Sequence, residues 1–97
     1  MILLAESGQE VARVGLPRPP DRDQLPLREL AAEGLRHDAA AMILVRDADD
    51  AACRPCPVEM TMIETARRTL SVIGLRLFDY ILWYGEHCAS LRESGWL

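Results

Sequence analysis

The 97-residue chain, 49% hydrophobic and 27% charged, is long enough for one small globular domain and too short for two of ordinary size. It has no run of about 18 apolar residues, which excludes a transmembrane helix. Its net charge of −4, with basic residues scattered along the chain, opposes a phosphate-tracking surface and so disfavours nucleic-acid binding.

All eleven basic residues are Arg, and the chain has neither Lys nor Asn. That is a bias of composition, so an individual Arg is weak evidence for a selected guanidinium. Residues 1–5 are apolar but too few, and too poor in flanking base, for a signal peptide. The expected location is therefore cytoplasmic. Cys53, Cys56 and Cys88 make an odd number of thiols, which are expected to be reduced.

Ile2 to Leu4 reads as a short strand, Ser7-Gly8-Gln9 as a turn, and residues 11–14 as the returning strand of a hairpin. Residues 15–24 hold Gly15, Pro17, Pro19 and Pro20, a density that only a surface loop tolerates. Pro26 is placed at the first helical position. Leu27, Leu30, Ala31, Gly34 and Leu35 follow at helical spacing, with His37 and Asp38 ending the helix. Residues 40–45 are uniformly apolar and predict a strand buried on both faces.

A loop rich in carboxylates comes next, and Pro57 opens a second helix. Its stripe is Ile63, Ala66, Leu70 and Ile73, and Gly74 is its stop. Residues 75–83 predict an inner strand, Gly85-Glu86 a turn, and residues 87–91 a hairpin partner. The order β-β-α-β-α-β-β predicts a three-layer α/β domain, a mixed sheet with helices on its faces.

The loop "VRDADDAACRPCPVEM" sits between a strand and a helix, where enzymes often place catalytic groups. It has three Asp and two Cys but no His. Cys53-Arg54-Pro55-Cys56 is a lone C-x-x-C, and three readings of it compete. As a zinc half-site it needs two more ligands, for which His87 and Cys88 are candidates if the last hairpin folds against the loop. As a redox pair it has the better-placed thiol second, at a helix N-cap. The plainest reading makes Cys56 a capping residue in place of Ser and Cys53 loop filler. His37 reads as a helix-end cation and His87 as an exposed turn residue. The Asp run 47, 49 and 50 reads as solvated loop. Tyr80, Leu82 and Tyr84 alternate with Asp79, Ile81 and Trp83 across the sheet and read as packing.

The segments "LPLRELAAEGLRHDAAAMILV" and "GLRLFDYILWYGEHCASLRESGWL", with the hairpin before them, resemble the JAB domain of RadC-type proteins. That family lies in the JAB/MPN metalloprotease-like superfamily, whose fold is cytidine-deaminase-like. The resemblance covers nearly the whole chain and is most specific in the closing Ser90-Leu91-Arg92-Glu93-Ser94-Gly95-Trp96-Leu97.

The resemblance implies a zinc motif, His-x-His, seven residues, Ser, two residues, Asp, at the acidic loop. At that spacing Arg46 and Ala48 stand in the two His positions, Cys56 in the Ser position and Glu59 in the Asp position. Asp79-Tyr80 stands where the family has Asp-His. The family's catalytic Glu lies on an earlier strand that this domain, residues 1–97, is expected to lack.

A catalytic zinc needs three protein ligands and an open position, so the expectation is a non-catalytic JAB/MPN domain with no metal and no cofactor. Its Arg46 would pair with Glu59 or Asp47. The implied role is an interaction or scaffold module, a homodimer or the partner of another protein. The contact is expected along the open edge of the N-terminal strand at Ile2 and Leu4, with Trp83 or Trp96. The alternatives are a DNA-repair-associated RadC-type protein and a thiol-dependent protein using Cys53 and Cys56 for redox or metal binding.

Overall fold

The structure is a computed structural model and describes residues 1–15 and 25–97. The expected proline-rich loop falls almost wholly outside the described residues. The elements are β1 (Ile2–Leu4), β2 (Glu10–Arg13), α1 (Leu27–Arg36), β3 (Ala41–Asp47), α2 (Pro57–Val72), β4 (Arg76–Tyr84) and β5 (His87–Ser90). They form one five-stranded mixed sheet in the order β2-β1-β3-β4-β5. Only β3 and β4 are parallel neighbours; the β1–β2, β1–β3 and β4–β5 pairs are antiparallel. The α/β class and the order of elements are those the sequence predicts.

Helix α1 starts after Pro26, which lies just outside the helix at ψ 73° rather than in its first turn. His37 closes it as the C-cap, with Nε2 3.3 Å from Glu33 Oε2. Gly34 is there because the helix runs against Leu75. A Cβ at Gly34 would overlap Leu75 Cδ1 and lie 2.9 Å from Cδ2. Leu75 is itself 1% exposed and has nowhere to go.

The β2-to-β3 and β3-to-β4 crossovers step the same way along the sheet. Right-handed connections then put both helices on the same side. In agreement, Leu25 and Leu27 at the start of α1 share a surface pocket with Val58 and Met62 of α2. The layering is therefore simpler than expected among the described residues, with a helix-covered face and a second face without a helix.

The covered face carries Leu3, Met42, Leu44, Tyr80 and Leu82, all buried. They form one core with Leu30 of α1 and with Ile63 and Leu70 of α2. The other face carries Ile2, Leu4, Ile43, Val45, Ile81 and Trp83, of which Val45 and Trp83 are about half exposed. Strand β3 is thus buried on one face only, which corrects the reading of residues 40–45. A run of apolar residues looks the same whether its second face is covered or open.

The N-terminal strand is not an edge. β1 is hydrogen-bonded on both sides, and the edges of the sheet are β2 and β5.

Candidate functional site

Three elements bring charged and polar side chains together at the end of β3. Arg46 is on β3 beside Leu82 of β4, and Tyr80 is on β4 beside Leu44. The alternation that buries Leu44 and Leu82 turns Arg46 and Tyr80 to the same face, toward α2. Helix α2 begins at Pro57 because proline fixes φ at the first position. The Cys56 Sγ caps it by accepting the Glu59 N–H at 3.4 Å. This is the expected cap, and it orients the first turn so that Glu59 points inward, 4% exposed.

Glu59 is the centre of the cluster. Its Oε1 accepts from Arg46 Nη2 at 2.7 Å, and its Oε2 accepts from Tyr80 Oη at 2.7 Å. Arg46 Nε lies 2.5 Å from Oε2 as an ion pair, but its N–H is out of line, so this buried nitrogen has no hydrogen-bond partner. Arg46 Nη1 donates to the Asp47 carbonyl at 2.7 Å. Burial opposes the charge on Arg46, yet the hydrogen bond and charge of Glu59 outweigh it and hold its pKa above the ordinary range. Burial pushes the Tyr80 phenol well up, the bond to Glu59 adds to this, and the Arg46 charge opposes without reversing it.

The loop itself is anchored more firmly than expected. Asp50 Oδ1 accepts the Ala52 N–H at 2.9 Å, and Ala48 N donates to the Trp83 carbonyl at 2.7 Å. Ala48 packs against the core. Cys53 is not loop filler: it is buried, at 4% exposure, in a left-handed conformation with φ 48°. Its Sγ lies 3.8 Å from the Asp50 carbonyl and 3.9 Å from the His87 carbonyl. The last hairpin does fold against the loop, but it offers the backbone of His87 to Cys53. Cys56 and Cys88 are exposed. Among the described residues no three His, Cys, Asp or Glu side chains are placed to share a metal ion.

The donor set does not suit zinc. A zinc site wants neutral imidazoles, thiolates or carboxylates with free lone pairs. Here a guanidinium and a phenol already occupy both oxygens of Glu59. Of the two pairings the sequence offers for Arg46, with Glu59 or with Asp47, the side chain of Glu59 is the one it makes, and Asp47 gives it a backbone carbonyl. The sequence does not predict the part of Tyr80, because alternation gives the face of a side chain and not what its hydroxyl meets.

A second network was also missed. Asp79, buried on β4, accepts from Ser90 Oγ at 2.5 Å and from the backbone N–H of Arg92 at 3.1 Å. It fixes the closing Ser90-Leu91-Arg92-Glu93 turn onto β4. The sequence signal was an Asp on one strand and a Ser-x-Arg segment at the end of its hairpin partner.

A family model described as RadC-like JAB domain matches residues 21–96. The chain belongs to that family. A UPF0758 protein of Chromobacterium violaceum is 33% identical over 70 residues, covering 72% of this chain and 31% of that protein. A UPF0758 protein of Cupriavidus pinatubonensis is 33% identical over 68 residues, 70% of this chain and 30% of its own. One from Pseudomonas entomophila is 30% identical over 77 residues, 79% of this chain and 34% of its own. This RadC-like domain therefore spans about a third of the length of these curated relatives. No helix among its described residues is long and apolar enough to cross a membrane.

Proposed function

We propose that this RadC-like JAB domain is non-catalytic, has lost the zinc protease site, and serves as an interaction or scaffold module that pairs with a second copy of itself. The observation that carries the reading is the Arg46–Glu59–Tyr80 cluster. By the family motif, Arg46 stands for the first imidazole, Ala48 for the second, Cys56 for the serine and Glu59 for the aspartate. The guanidinium then supplies the positive charge that an ion would otherwise bring to Glu59, and it is a permanent charge. With no metal to lower the pKa of an attacking water, isopeptidase chemistry has no nucleophile. The half-exposed Val45 and Trp83 on the helix-free sheet face support the interaction role, because open apolar surface of this kind marks contact sites.

Elemental analysis of the purified protein tests the reading. The expected outcome is no stoichiometric zinc, before or after incubation with the metal. About one zinc per chain, lost on Cys53→Ser or Cys56→Ser, would sink the proposal and assign a thiolate site instead.

A further inference from the structure

At the far end of α2 from Glu59, Arg67 and Ser71 of the helix meet Arg76 at the start of β4 and Arg92 of the closing turn. Together with Leu97 they line an open basin of about 480 Å³, behind which Leu75 and Leu77 are buried. Arg76 and Arg92 both stand over the Phe78 ring, their guanidinium carbons 5.4 and 4.2 Å from its centroid. Arg92 Nη1 also donates to the Phe78 carbonyl at 3.3 Å. Arg13, Arg36, Arg46, Arg67 and Arg68 each face a carboxylate. Among the described residues Arg28, Arg54, Arg76 and Arg92 face none, and of these Arg76 and Arg92 line the same basin. A biased composition accounts for their being Arg rather than Lys, but not for two unneutralised cations sharing one ring and one basin.

We propose that this basin binds a phosphate monoester, its phosphoryl oxygens on Arg76 and Arg92 and its organic part against the half-buried Leu97. Two forks matched to two negative charges favour a dianion over a carboxylate, which would satisfy one fork only. The aromatic ring holds both guanidinium groups in place, so little side-chain freedom remains to be lost on binding. The C-terminal end of α2 opposes an anion with roughly half a negative charge. Its last carbonyls, on Leu70 and Ser71, already accept from Ile73, Gly74 and Leu75, and two whole positive charges outweigh it. A nucleic-acid strand is a poorer occupant, because it needs a basic track and the chain as a whole carries −4. The assignment is independent of the lost-zinc reading.

The test is an NMR titration of the ¹⁵N-labelled chain at fixed ionic strength with phenyl phosphate, inorganic phosphate and a short single-stranded oligonucleotide. Phenyl phosphate is expected to shift the Arg76 and Arg92 Nε–H and Gly74 amide signals saturably, and to bind more tightly than inorganic phosphate. Arg76→Gln should weaken it by about tenfold, as loss of one charge-assisted fork predicts. Arg92→Lys, which keeps the charge over Phe78 without the fork, should weaken it too, and Arg54→Gln on the acidic loop should not. No saturable shift by about 20 mM, or an unchanged constant in Arg76→Gln, would overturn the proposal. Equal affinity for inorganic phosphate would reassign the basin to the free ion, and tighter, steeply salt-dependent binding of the oligonucleotide would reassign it to nucleic acid.

Discussion

Among the described residues two side chains, Arg46 and Tyr80, hold the Glu59 carboxylate in the interior, so its environment is sensitive to the loss of either. Removing one partner of a buried pair leaves an uncompensated charge, whereas neutralising both is far milder. Arg46→Met is expected to cost about 3 kcal/mol, toward the low end because the Arg46 side chain is 27% exposed. Adding Glu59→Gln should recover a large part, since the amide still accepts from Tyr80. Urea unfolding of the two single variants and the double variant measures this coupling, and additive losses would mean that the pair does not interact.

Tyr80 gives a second check at the same scale. Its folded pKa lies above the ordinary 10.0, so the fold favours the protonated phenol. The resulting stability is fully present below pH 10 and is lost as pH rises through the raised value. In a Tyr84→Phe variant, phenolate absorbance should therefore appear only together with unfolding, above about pH 10. Phenolate forming at that pH in a still-folded chain would show Tyr80 to be accessible. The Arg46–Glu59 pairing was legible because the two residues hold motif positions thirteen apart. The Tyr80 bond was not, since it depends on how far α2 leans over β4.

Among elements, the start of α2 was the most legible, because capping and proline act locally. Cys56 is a weak acceptor, its Sγ at 3.4 Å from the Glu59 N–H. Serine is a preferred cap, so Cys56→Ser should leave stability unchanged or raise it by up to about 1 kcal/mol. A marked fall in melting temperature would mean that the thiol bonds to something else. The strands were found to within a residue or two for the same local reason: Gly8, Gly74 and Gly85 mark three turns, each with positive φ. Long-range placement was harder to read. Residues 40–45 look like a strand buried twice, yet which face the helices cover follows from two crossovers running in the same direction. Cys53 looks like loop and is core, because the hairpin around His87 closes over it.

For the whole molecule, β1 is internal, so an unpaired N-terminal strand no longer argues for a dimer. The edges β2 and β5 are short, and β2 carries exposed Glu10 and Arg13, which blunt it against strand addition. The helix-free face is the better candidate. Ile2 and Leu4 belong to it along with Ile43, Val45, Ile81 and Trp83. Trp96, 61% exposed, lies beyond β5 in the closing turn. A standard interface covers about 800 Å² per partner, roughly one-eighth of this chain's 6344 Å². A twofold contact would use the same patch twice. Light scattering at micromolar concentration is expected to report about twice the 10.9 kDa chain mass. Val45→Glu, at the middle of the face and already 46% exposed in the single chain, should return it to the monomer without unfolding it. Leu4→Glu should do the same with some loss of stability, since Leu4 is half-buried. A monomer in the unmutated protein would end the case for self-association and leave the face to a different protein partner. A dimer that survives Val45→Glu would move the contact elsewhere, with Trp96 the next residue to charge.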